Sequence, residues 1–325
     1  MKTALSRILP AALLACAVLV EPSAAADAFP SRPVRIIVAT AGGVNDVFAR
    51  VVAPRLAEAL GQPVVVEPKP GAGGTIATDY VAKSAPDGYT LLIGFTGPLA
   101  INVTLIDKLP YDPVKDFAPI TLVGDAAQLL VAHSSVPVTS VLELIAYAKA
   151  HPGKLSYASI AVGSAGHLTM EKFKAATGIN LVHVPYKGAS PAVTDLLAGN
   201  VQVAFLVVSN VLPSVKSGRL KALAVAGRAR IVSIPGVPTM AELGFPEFEI
   251  GAWLGILAPA GTAKPIIDRY HREFVRILKD PEVRARFEPA GFELTESTPE
   301  EFGNFIRAEI TKWGKVVKLI GARAD

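Results

Sequence analysis

Twice in this chain a short apolar strand runs into a loop of small residues and out into a helix. The first unit is Val34–Val38, then Thr40-Ala41-Gly42-Gly43, then a helical pattern from Val44. The second starts at Leu155-Ser156-Tyr157, passes through Ala161-Val162-Gly163, and turns helical after Ser164, with Leu168, Met170 and Phe173 in the stripe. Small residues let a backbone approach a ligand closely. The first turn of a helix carries N–H groups with no partner inside the helix, and with the helix dipole they attract an anion. Two such units, well separated in sequence, predict two lobes offering helix starts to one ligand.

Strand and helix patterns alternate around the first unit. Val47, Phe48, Val51, Val52, Leu56 and Leu60 lie on one helical face, and Gly61 ends it. Val64-Val65-Val66 is the next strand, Gly71 to Gly74 opens a second helix reaching about Lys83, and Tyr89–Ile93 is a third strand. Strands separated by helices imply parallel pairing with right-handed crossovers. Residues 119–131 differ. Ile120–Val123 and Leu129–Val131 read as two strand segments with Gly124-Asp125 between them, a first passage between lobes. Ile250–Leu257 reads as the return. Between the passages lie a helix Val141–Ala150 with a Ser140/Glu143 capping box and strands at Leu181–Val184, Val201–Val208 and Leu220–Val225. A second capping box, Thr298-Pro299-Glu300-Glu301, opens a last helix expected to pack back on lobe one.

The chain's 325 residues, 51% hydrophobic and 18% charged, are enough for two lobes. Residues 1–26 stand apart. Lys2 and Arg7 precede an apolar run, Ile8–Val20, and Ala24-Ala25-Ala26 offers a small-residue cleavage site, which reads as a secretory signal peptide. Cys16, the one cysteine, lies inside the apolar run, so cleavage after Ala26 is preferred over lipoprotein processing there. The mature chain then has no disulfide or thiolate metal site. Its charge is +3, from 30 basic and 27 acidic residues. The excess carries no basic run with interleaved aromatics, so nucleic acid is not indicated.

Signs of catalysis are missing. The histidines of the mature chain, His133, His151, His167, His183 and His271, have no metal-site spacing. Gly163-Ser164-Ala165-Gly166 is not a nucleophile elbow, and no phosphate loop is present. Asp46 falls at the third helical position after Gly43, where a carboxylate braces a helix start. His167 holds the same position after Ser164 and reads either as a brace for its loop or as a ligand contact. Trp253 reads either as a lining of the cleft or, preferred, as filler for the lobe junction.

These residues also carry a family resemblance. Its marks are Ala41-Gly42-Gly43-x-x-Asp46-x-x-Ala49-Arg50, Pro70-Gly71-Ala72-Gly73-Gly74 and Ala85-Pro86-Asp87-Gly88-Tyr89-Thr90-Leu91-Leu92. Gly163-Ser164-x-x-His167-Leu168, His183-Val184-Pro185-Tyr186-Lys187-Gly188 and Pro235-x-Val237-Pro238-Thr239-x-x-Glu242 follow in order. The chain resembles the periplasmic solute receptors of tripartite tricarboxylate transporters, the Bug family. The resemblance implies an α/β, two-lobed type II periplasmic binding protein fold, each lobe a mixed, mostly parallel sheet flanked by helices. Lobe one would be 27–124 and 252–325, and lobe two 125–251. It implies a small carboxylate, a dicarboxylate or an aromatic acid, in the interlobe cleft, with no cofactor, no metal and no catalysis. It implies delivery to a membrane permease from a periplasmic monomer. The candidate ligand-binding residues in lobe one are Thr40, Ala41, Gly42, Gly43, Asp46, Phe95 and Thr96. Those in lobe two are Gly163, Ser164, Ala165, His167, Tyr186, Val207 and Ser209. Leu206-Val207-Val208 lacks the acidic or amide residue that the family often has there. That argues against an amino acid, whose ammonium group needs an acceptor. Two other readings are a solute sensor with a membrane signalling partner and an exported hydrolase of small acids.

Overall fold

The structure is a computed structural model that describes residues 29–248 and 250–322. The signal peptide, its cleavage after Ala26 and Cys16 lie outside the described residues. In chain order the first elements are β1 (Val34–Val38), α1 (Val44–Leu60), β2 (Val64–Pro68), α2 (Thr75–Ala82) and β3 (Thr90–Phe95). A π-helical turn over Gly97–Ile101 and the short α3 (Asn102–Leu105) lead into β4 (Phe117–His133). Next come α4 (Val141–Ala150), β5 (Ser156–Ser159), α5 (Ala165–Thr177), β6 (Val182–Pro185) and α6 (Ala189–Ala198). Then follow β7 (Val203–Val207), α7 (Val208–Lys216), β8 (Leu220–Ala226) and β9 (Gly251–Pro259). The chain ends with α8 (Lys264–Leu278), α9 (Pro281–Phe287), β10 (Phe292–Leu294) and α10 (Pro299–Ile320).

Two sheets share one strand. In the first, β1 lies parallel between β2 and β3, β3 pairs antiparallel with β9, and β9 pairs antiparallel with β4 as far as Ala127. In the second, β5 lies parallel between β6 and β7, and β7 and β8 flank β4 antiparallel from Gln128 onward. The strand–helix–strand units give the parallel pairs. The shared strand β4 and its neighbour β9 give the antiparallel ones.

The expected break at Gly124-Asp125 does not occur. β4 is one strand of 17 residues. It absorbs the irregularity as register shifts against β9 between Pro119 and Thr121 and between Leu122 and Gly124. Gly124 has φ +152°, and a β-carbon there would lie 2.2 Å from the Glu293 carbonyl oxygen. A glycine–acid pair reads locally as a turn, but partner strands on both edges hold it extended through a bulge.

The helices cover both faces of the sheets. Phe48, Val52 and Leu56 of α1 pack with Tyr270 and Phe274 of α8 on one face of the first sheet. Leu196 and Val211, from α6 and α7, cover one face of the second. The remaining core runs continuously under both sheets, from Trp253, Phe302 and Trp313 to Phe173 and Phe205. The last helix packs against β4, α3 and the π-helical turn, as expected, and also against α5. Its capping box forms with both bonds. At α4, Ser140 caps the Glu143 amide, but the Glu143 carboxylate reaches one residue further back, to the Thr139 amide at 2.6 Å.

Candidate functional site

The loop between β1 and α1 is held from within. Gly43 is the N-cap of α1, in extended backbone. Thr40 Oγ1 donates to Asn45 Oδ1 at 2.5 Å, and the same oxygen accepts the Asp46 amide. Asp46, 4% exposed, accepts the Gly42 amide at 2.9 Å and the Arg50 guanidinium at 3.1 Å. Asp46 is therefore a brace, as its position suggested. The single Thr40 hydroxyl proton is already given to Asn45. Ala41 and Gly42 are exposed. The amides of Val44 and Asn45, in the first turn of a 17-residue helix, have no acceptor among the described residues.

The loop between β5 and α5 is built to the same plan. Ser164 caps α5 and its Oγ accepts the His167 amide at 3.3 Å, which leaves its own proton free. The Gly163 amide donates to His167 Nδ1 at 3.2 Å. An acceptor Nδ1 places the imidazole proton on Nε2. Burial, then the neighbouring His183 imidazole, hold the His167 pKa down at about 4, so the ring is neutral at ordinary pH. The His167 ring stacks on His183 at 4.2 Å, and His183 on Tyr157 at 4.7 Å. His183 in turn pairs with Ser159 Oγ at 2.7 Å. The stack holds His167 against the strands. The amides of Ala165 and Gly166 have no acceptor among the described residues. Gly163 faces the first sheet's elements: a β-carbon there would meet Leu105 at 2.2 Å and Asn102 Oδ1 at 3.3 Å.

The other candidates have structural partners. Thr96, 1% exposed, accepts the Trp253 amide at 3.0 Å. The Phe95 ring covers Gly74 and Gly97. Tyr186 donates to Asp195 at 2.7 Å, and burial and that carboxylate push its pKa up to about 12. Val207 ends β7 opposite Gln128, and Ser209 lies in the first turn of α7. No hydrogen bond among the described residues joins the Thr40–Asp46 group to the Gly163–His167 group. Two surface cavities, about 730 and 210 Å³, contain none of these residues and lie near Tyr80 and near Gly303.

The family model for the tripartite tricarboxylate transporter family receptor, TctC, matches residues 48–322. The chain belongs to this family. It is similar to Protein BugT of Bordetella pertussis, 42% identical over 300 residues that cover 92% of each chain. A protein of R. palustris solved with adipate is 36% identical, with a TM-score of 0.87 over 91% of this chain and 99% of that one. MatC from Rhodopseudomonas palustris with bound malate is 34% identical, with a TM-score of 0.83 over 89% and 100%. The fold is thus the two-lobed periplasmic binding protein type, and the chain is a solute-binding receptor rather than an enzyme. No helix among the described residues is long and apolar enough to cross a membrane. The described residues hold no cluster of three or more His, Cys, Asp or Glu suited to a metal.

The sequence reading missed the polar side chains of the receptor's shared strand. Gln128, 1% exposed, donates to Thr169 at 3.3 Å and leaves its Oε1 buried without a partner. Asp125 has its Oδ1 buried without a partner. Asn45, which ties the first loop together, was also passed over. An Asn beside a braced Asp was the available signal. Trp253 fills the junction as expected, its indole donating to Glu309 at 2.9 Å.

Proposed function

We propose that this receptor binds a small carboxylate, a dicarboxylate or an aromatic acid, between the β1–α1 and β5–α5 loops. The observation that carries the reading is the pair of helix starts. Each keeps two first-turn amides with no acceptor among the described residues, while the Asp46 and His167 side chains brace the loop from within. Ser164 adds a hydroxyl proton that no group among the described residues takes. Donors held in place in this way bind a carboxylate without reorganisation, and charge-assisted bonds contribute about 1.5–3 kcal/mol each. Relatives solved with adipate and with malate support a carboxylic acid of this size.

The wider reading follows from family membership. The chain is exported by its leader, works as a monomer in the periplasm, and delivers its ligand to a tripartite tricarboxylate-type permease. Its lobes divide at 124/125 and 251/252, and the change of sheet along β4 between Ala127 and Gln128 supports that division.

Native mass spectrometry of the purified protein identifies a retained acid, and calorimetric titration with it tests the site. Ser164→Ala should weaken binding about tenfold. Gly43→Val should weaken it more, because a β-carbon there already lies 2.5 Å from Thr40 Oγ1. If both variants stay folded and bind as tightly as the parent, the ligand sits elsewhere.

A further inference from the structure

The loop that carries Ser164 does not stand free of the first sheet's elements. Gly163 is buried, and a β-carbon on it would lie 2.2 Å from Leu105 Cδ2 and 3.3 Å from Asn102 Oδ1, both on α3. Beside it, the Val162 carbonyl oxygen lies 3.7 Å from where a β-carbon on Gly73 would stand. Val162 and Gly163 thus rest in a socket made by the turn at 71–74 and by α3. By the division proposed above, the socket belongs to lobe one and the loop to lobe two.

The socket is shaped to admit a backbone. Gly71, Ala72, Gly73 and Gly74 all have positive φ, between +46° and +130°. Gly73, at +62°, presents no side chain to the Val162 carbonyl. Leu105 is 2% exposed and forms the apolar floor. Asn102 is fixed by its Nδ2, which donates at 3.1 Å to Thr75 Oγ1 in the first turn of α2. The entering loop is fixed as well, since the Gly163 amide donates to His167 Nδ1 and Ser164 Oγ accepts the His167 amide. Among the described residues no hydrogen bond or ion pair joins Val162 or Gly163 to the socket. The contact is packing alone, held by keeping water from Leu105, and it can be made and broken without stranding a polar group.

We propose that this contact is a latch, which the lobes close by seating Val162 and Gly163 in the socket and open by withdrawing them. This rests on the carboxylate reading above and deepens it. Ser164 follows Gly163 directly, so seating Gly163 sets the free Ser164 hydroxyl opposite lobe one. Leu105 is then a positioning residue that acts on the ligand through the loop. The proposal also gives a task to Pro70-Gly71-Ala72-Gly73-Gly74, a run that lies in neither ligand loop.

The chain from residue 27 onward has no cysteine, so a pair placed across the latch reports on it alone. A disulfide needs α-carbons within about 7 Å of each other. In that chain carrying Gly73→Cys and Val162→Cys, mild oxidation should join the pair within one molecule. Small-angle scattering should then give a smaller radius of gyration for the oxidised form than for the reduced form. Adding Leu105→Ala should slow disulfide formation about fivefold, because fewer closures seat the loop. Should Gly73→Cys not fold, Ala72→Cys replaces it, because that site already bears a β-carbon at φ +46°, and a short bismaleimide joins it to Val162→Cys. If the pair cannot be joined within one folded chain, loop and socket do not meet and the latch is overturned. It is overturned equally if oxidised and reduced forms have the same radius of gyration, or if Leu105→Ala leaves the rate unchanged. None of these readouts contains a ligand, so the carboxylate reading stands or falls separately, with the Ser164→Ala and Gly43→Val titrations.

Discussion

The most exposed claim about the second loop is that His167 must stay neutral to hold it. Its Nδ1 accepts the Gly163 amide, and a protonated ring would turn that acceptor into a second donor. The ring is 8% exposed and stacked on another imidazole, so its pKa falls from an ordinary 6.5 to about 4. The sign follows from proton counting. Between pH 6.5 and 4 the unfolded chain has taken up a proton at this site and the folded chain has not, so stability falls as the pH drops. The difference corresponds to about 3 kcal/mol at full extent. The contribution is present above pH 6.5 and lost by about pH 4. Glutamine can offer an oxygen to the Gly163 amide and does not titrate, so His167→Gln is the matched control. Urea denaturation at pH 7, 5.5 and 4.5, followed by fluorescence of the buried Trp253 and Trp313, measures both proteins. The parent should lose about 2–3 kcal/mol more than the variant over that range. Carboxyls held below their usual range, such as Asp280 and Glu301, lose their share at lower pH and are common to both. If parent and variant lose stability in parallel, His167 is not held neutral by its fold and the brace is wrongly assigned.

Other substitutions probe the frame that holds the site. In Gly255→Ala the new β-carbon would lie 1.9 Å from the buried Phe302 ring, so a loss of about 2–3 kcal/mol is expected, and an unchanged urea midpoint would refute the close packing of β9 on α10. Glu309→Ala should cost at least about 2 kcal/mol because it strands the indole N–H groups of Trp253 and Trp313, each now bonded at 2.9 Å, whereas Glu309→Gln should cost less in the same assay. Thr298→Ala removes the cap of α10 and should lower stability by about 1 kcal/mol, read as a drop in melting temperature. Saturation with a tight ligand should reduce the radius of gyration in small-angle scattering, since two sheets joined along β4 permit hinge closure, and an unchanged value would count against closure.

Much of the frame was legible because its signals are local. The first strand, Val34–Val38, is a short β-branched apolar run, its helix, Val44–Leu60, shows an apolar stripe at helical spacing, and Gly61 marks the end. Ser164 and Thr298 were readable as caps because capping is decided within three residues. Asp46 was readable as a brace for the same reason. The stack of Tyr157, His183 and His167 was not. It joins residues from β5, β6 and α5 that pair only once the second sheet has formed. The direction of the Tyr186 hydroxyl, toward Asp195 on α6, was equally invisible, because sequence spacing does not say which neighbour a side chain finds.

The passage between the sheets at Gly124-Asp125 was legible, but its unbroken strand was not. Read locally, a glycine and an acid between two apolar segments mark a turn, because an acid inside a strand between sheets has nothing to gain from burial. The fold holds the pair extended all the same, with β9 on one edge and β10 on the other, and makes room for the carboxyl by leaving Gly251 without a side chain. Among the described residues nothing donates to the buried Asp125 Oδ1. At such a position the partner strands, and not the local sequence, decide the conformation. The braced Asp46 is the contrast. Asp46 obeys its local rule and finds both Arg50 and the Gly42 amide within four residues.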